Sequence, residues 1–176
     1  MHIATHLTPG WLRIAAAEVG AREAGGNNRG PRIEEYQHAT WLTVGPWAWC
    51  AAFCCWVLRE WLKTPEGAVF LDGARLEEWR CKDALAFGWE KWARQRGLTV
   101  ISENGVPKPG DFVVFDWSHI GIVEDVSDWP RTITTIEGNT NVKGQRDSLI
   151  GDGVWRKARK PSPENITCYI RLERAP

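Results

Sequence analysis

The sequence predicts an α+β fold, with helices in the first half packed on a C-terminal antiparallel β-sheet of about five to six strands. Three observations carry this expectation. Up to about residue 96, apolar residues recur at helical spacing or gather in one long apolar block. From Leu98 onward they fall into short runs rich in β-branched and aromatic residues. Clusters of Gly, Pro, Asn and Asp mark the junctions between runs. Helices followed by strands, rather than alternating with them, favour helices against an antiparallel sheet.

The elements follow in order. Trp11, Leu12, Ala15, Ala16 and Val19 predict a helix over Trp11–Ala24, with Thr8-Pro9 as cap and first turn and Gly25-Gly26-Asn27-Asn28 as its stop. Pro31 opens a second helix that runs to about Trp41, and Gly45-Pro46 is a turn. Cys50 to Leu62 is apolar on nearly every face, which predicts a buried helix. Pro65-Glu66-Gly67 is expected to end that region, and a further helix spans about Leu76 to Arg96. The expected strands are Leu98–Ser102, Phe112–Trp117, His119–Val126, Thr132–Glu137, Gly153–Lys157 and Ile166–Leu172. Pro107-Lys108-Pro109-Gly110-Asp111 forms the turn before the second of these.

At 176 residues the chain fits one domain, taken as 1–176 with its core at about 11–173. Hydrophobic residues make up 43% and charged residues 25%, the balance of a folded globular chain. Net charge is zero, so there is no electrostatic footprint for nucleic acid. The short basic run Arg156-Lys157-Ala158-Arg159-Lys160 reads as a solvated face. The first residues show no basic segment followed by an apolar run, hence no secretory signal, and no stretch is long enough to span a membrane. Five cysteines, clustered and odd in number, argue against a disulfide framework and for folding in a reducing cytosol. The 12 tryptophans show no fixed period, and most are expected in the core.

Cys50 is the candidate nucleophile. A turn rich in Gly and Pro feeds Trp47-Ala48-Trp49-Cys50-Ala51-Ala52-Phe53, which places the thiol at the start of a buried helix. Free backbone N–H groups and the helix dipole favour a thiolate there, and they can receive an oxyanion. Cys54, Cys55, Cys81 and Cys168 read as packing. Zinc is disfavoured, because Cys50 and Cys54 have no second pair of ligands.

Among four histidines, His2 and His6 sit at the N-terminus and His38 lies on a polar helix face. His119 opens a strand just after Phe112–Trp117 and is the best base by elimination and by position. Gly121 lets a neighbouring group come close. Glu137 and Asn139, near the end of the next strand, can orient a base histidine. The same residues have turn chemistry, so the pattern alone leaves both readings open.

Together, Trp49-Cys50-Ala51-Ala52-Phe53, Pro109-Gly110-Asp111-Phe112-Val113-Val114-Phe115, His119-Ile120-Gly121-Ile122-Val123 and Ile136-Glu137-Gly138-Asn139 resemble the CHAP family, the cysteine- and histidine-dependent amidohydrolases/peptidases of the papain-like NlpC-type group. Residues 23–32 are similar to a segment of phage-associated members. The resemblance implies a papain-like fold and hydrolysis of an amide in bacterial peptidoglycan. Cys50 attacks, His119 is the base, Glu137 orients it and Asn139 assists. Trp49, Asn28, Arg29 and Trp117 are expected to contact substrate. No metal or cofactor is required; some members bind calcium, but no Asp-x-Asp-x-Asp-Gly loop is present. The expected protein is monomeric, binds neither nucleic acid nor membrane, is made in the cytoplasm and reaches the wall by holin-type or other release, as an endolysin does. Two alternatives stand beside this: a non-catalytic glycan-binding module, and a transglutaminase- or deamidase-type toxin.

Overall fold

The computed structural model describes residues 8–142, 151–161 and 165–175. Six helices precede six strands: α1 (Gly10–Ala17), α2 (Pro31–Gln37), α3 (Cys50–Leu62), α4 (Pro65–Leu71), α5 (Leu76–Trp79), α6 (Gly88–Gln95), β1 (Leu98–Ser102), β2 (Phe112–Phe115), β3 (His119–Asp125), β4 (Ile133–Thr140), β5 (Gly153–Arg159) and β6 (Ile166–Arg174). The strands form one antiparallel sheet in the order β1-β6-β2-β3-β4-β5. This is the α+β architecture that the sequence predicts.

α3 is the central helix. It touches α1, α2 and α4 on one side and β3 and β4 on the other. Residues 50–58 along with Trp61 and Leu62 are buried, as a helix apolar on nearly every face must be, and its two charged residues, Arg59 and Glu60, are only partly so. Leu12, Ile33, Tyr36, Trp49 and Trp89 pack with α3 against Phe112, Val114, Ile120, Ile122 and Ile136 of the sheet. The alternate residues Val113, Phe115, Val123 and Ile133 form a smaller cluster on the other face. Five tryptophans (Trp49, Trp56, Trp61, Trp89 and Trp92) are buried, whereas Trp41 is 68% exposed.

Three elements depart from expectation. α1 stops at Ala17, and residues 20–23 instead run along the free edge of β5, through Gly20 N–H to Val154 O and Glu23 N–H to Asp152 O, both 2.9 Å. Pro65 starts a helix rather than ending one. Thr64 caps α4 by accepting from Gly67 N–H, and a proline suits the first turn, where its missing N–H costs nothing. The helix expected over Leu76–Arg96 is broken at 80–87. There Arg80 turns inward to donate to the Ala39 carbonyl while pairing with Glu77, and tertiary contacts override the helical pattern.

The Pro-Gly-Asp turn fixes the start of β2. Gly110 adopts φ +95, where only glycine is unstrained, and its carbonyl accepts from Trp11 Nε1 at 2.7 Å. Asp111 accepts from Lys108 N–H and from the Arg171 fork. β2 then delivers the chain into the tight turn before His119.

Candidate active site

The turn feeding α3 is pinned by a buried glutamine. Gln37 Nε2 donates to Gly45 O (2.7 Å) and Trp47 O (3.3 Å), and its Oε1 accepts from Gly45 N–H. Trp49 precedes the helix with no side-chain cap, and the first-turn residues carry no acid. The first intrahelical bond runs from Phe53 N–H to Trp49 O, so the N–H groups of residues 50–52 lie ahead of the ladder. Cys50 is the first helical residue and is nearly buried.

His119 and Glu137 come to this same end of the sheet. The packing of Gly138 fixes the approach: a Cβ there would stand 2.6 Å from Phe53 Cβ and 2.8 Å from the Trp49 ring, so strand β4 passes directly over the start of α3. Alternation puts His119 and Glu137 on the face of Val113 and Phe115. His119 Nε2 meets Glu137 Oε2 at 2.8 Å, with both residues buried. Nε2 is taken by Glu137, and Nδ1 is buried with no hydrogen-bond partner among the described residues. Cys50 lies near enough for its charge to bear on the ring.

Burial alone would depress the His119 pKa. The nearby Cys50 and Glu137 charges and the hydrogen bond to Glu137 outweigh that and hold it up at about 9. Glu137 is held well below the usual carboxylate range. Burial pushes it up, but Arg159 and the imidazolium more than compensate. Cys54 and Cys55 are pushed up by burial, and all five cysteines are free and buried. Among the described residues no group of three His, Cys, Asp or Glu side chains is placed to hold a metal.

Two neighbours of Glu137 escaped sequence reading. Arg159 donates from Nε to Glu137 Oε1 at 2.8 Å and from Nη2 to Oε2, and Thr135 Oγ1 donates to Oε1 at 2.6 Å. The basic run 156–160 is therefore not a solvated face. Its members alternate, with Lys157 and Arg159 buried and Arg156 exposed on β5, and Lys160 exposed just beyond it. The signal available in the sequence was that period of two.

A match to a family model follows this geometry: the CHAP domain, over residues 42–139, more than half of the chain. The chain belongs to the CHAP family. CHAP domains are amidase- or peptidase-type hydrolytic domains that act on peptidoglycan, and the papain-like arrangement of helices on an antiparallel sheet is the one seen here. Neither the curated proteins nor the solved structures yield a match.

Within this CHAP domain the other expected site residues divide. Trp117 is half-buried beside His119, its ring nearly parallel to the imidazole (10°, centroids 6.4 Å apart). Asn28 donates to Pro46 O (3.5 Å), which sets the 24–30 loop beside the turn leading to Cys50; Arg29 is exposed on that loop. Trp49 is a correction. Its ring is fully buried, stacked on Tyr36 and bonded through Nε1 to Glu23 at 2.9 Å, so it packs beneath the start of α3 and offers no exposed face. Asn139 is buried at a break in β4 register with φ +53, and its side chain makes no hydrogen bond to the described residues. The same-side alternation expected of Glu137 and Asn139 is interrupted there. His38 is exposed, as expected, while His2 and His6 lie outside the described residues.

Proposed function

We propose that this domain cleaves an amide bond of peptidoglycan by a thiol mechanism in which Cys50 is the nucleophile, His119 the base and Glu137 its orienter. The single observation that supports it best is the His119 ring, with Nε2 bonded to a buried carboxylate and Nδ1 without a partner among the described residues, near Cys50 at a helix start. His119 takes the thiol proton through Nδ1. The thiolate attacks the amide carbon, and the oxyanion faces the free N–H groups at the start of α3. Collapse breaks the C–N bond, and the leaving amine takes the proton back from His119. Water, deprotonated by His119, then hydrolyses the thioester and restores the thiol. No step requires a metal or cofactor.

The bond is either within the stem peptide or at the muramoyl–alanine junction. The biological setting proposed is lysis by a phage or a similar bacteriolytic protein, acting as a monomer after release from the cytoplasm. Turbidity loss of purified peptidoglycan tests the activity, and mass spectrometry of the released muropeptides names the bond. Cys50→Ala and His119→Ala should each abolish clearing while circular dichroism shows an intact fold. Full clearing by Cys50→Ala overturns the proposal.

A further inference from the structure

Arg159 was not among the residues that the motif supplies, yet it contacts both oxygens of the Glu137 carboxylate. It is 6% exposed on β5, and its fork grips both oxygens of Glu137. Oε1 also accepts from Thr135, and Oε2 also meets His119 Nε2. Each carboxylate oxygen therefore has two partners, so Glu137 cannot rotate. The guanidinium lies over Phe115 (5.3 Å) and Trp117 (5.5 Å), the same pair of rings that flank His119. A fork stacked on two rings and bidentate to a carboxylate is a role that arginine fills and lysine does not.

We propose that Arg159 is a positioning residue for catalysis: by fixing Glu137 as an oriented carboxylate, it confines proton exchange at His119 to the nitrogen facing Cys50. This rests on the reading of Cys50 and His119 as nucleophile and base. A fully buried carboxylate without a cation is prone to take a proton. If Glu137 did so at the expense of His119, the imidazolium needed by the leaving amine would be lost. Arg159 is charged throughout the cycle, so Glu137 remains an acceptor whether His119 is protonated or neutral. The other charged or titratable groups around the pair are Cys50 and Cys54 from α3, Lys157 on the same face of β5, and exposed Asp116 in the turn before His119. Lys157 Nζ is directed to Asn141 O at 2.6 Å.

The test is the pH profile of Cys50 alkylation by iodoacetamide, read by mass spectrometry of the peptide containing Cys50, with kcat and KM on peptidoglycan measured alongside. In Arg159→Met the acid limb of alkylation should rise by about one pH unit or more. kcat should fall on the order of 100-fold with KM little changed. Arg159→Lys, which keeps the charge and loses the fork, should lie between the two. A folded Arg159→Met with the wild-type alkylation profile overturns the proposal. Should Arg159→Met not fold, an Arg159→Lys protein with unchanged profile and kcat overturns it equally. Because alkylation needs no substrate, a shifted limb in a protein that fails to clear peptidoglycan would support the role of Arg159 while removing the hydrolase reading.

Discussion

Gly121 on β3 lies directly against Glu137 on β4. A Cβ at Gly121 would stand 2.6 Å from Glu137 Cγ and 3.1 Å from the Ile136 carbonyl oxygen. The missing side chain is what allows the carboxylate to reach His119 Nε2 from the neighbouring strand. Neither contact can yield cheaply, since one is backbone and the other is held by Arg159, Thr135 and His119.

Gly121→Ala should therefore destabilise the fold by about 1–3 kcal/mol, the usual cost of overpacking. It should also slow peptidoglycan clearing more than that loss of stability explains, because Glu137 is displaced. Urea unfolding together with initial clearing rates measures both effects. Wild-type values for both would mean that Glu137 does not depend on this space.

The protonation of His119 depends on Cys50. Burial opposes the charged ring, and the Cys50 charge is the foremost influence holding its pKa up at about 9. Cys50→Ser removes that charge, so the His119 titration followed by NMR should move down from about 9. In the wild type, the rate of hydrolysis should decline as the pH rises through about 9, where His119 loses the proton that the leaving amine needs.

Stability should follow the same groups with opposite signs. The folded value for His119 lies above the ordinary one near 6.5, so its contribution is complete below about 6.5 and is lost as the pH rises through about 9. Glu137 is depressed, so its contribution is present above its ordinary value of 4.5 and is lost as the pH falls towards its lowered folded value. The gap in unfolding free energy between wild type and His119→Gln should narrow from pH 6.5 to 9. The gap between wild type and Glu137→Gln should narrow on acidification below 4.5.

Gln37 clamps the turn that delivers the nucleophile, through three hydrogen bonds to Gly45 and Trp47. Gln37→Ala should cost about 1 kcal/mol, since the backbone groups of Gly45 and Trp47 that lose their partner are only partly buried. It should also slow alkylation of Cys50 by loosening the start of α3. Thermal melts and the alkylation rate at pH 7 check both.

Much of the fold was legible because local pattern and burial agree. Cys50–Leu62 is apolar on nearly every face and bounded by a Gly-Pro turn and a Thr-Pro pair, and α3 has those bounds. β1, Leu98–Ser102, also matches its expected span. Elements set by distant partners were harder to read. The 80–87 segment reads as helix until Arg80 finds the carbonyl of Ala39, 41 residues away. The break at Asn139 interrupts an alternation that a continuous strand would have kept.

By itself the sequence determined the order of helices and strands, a cysteine at the start of a buried helix, and a histidine and a carboxylate on successive strands. Those follow from periodicity and from turn residues, which act within a few positions of one another. Only the tertiary structure decided that Trp49 is buried and that Arg159 points inward to grip a carboxylate 22 residues earlier in the chain. A strand's alternation says which residues share a face, but the charge waiting on that face belongs to the neighbouring strand, and only the paired sheet brings the two together.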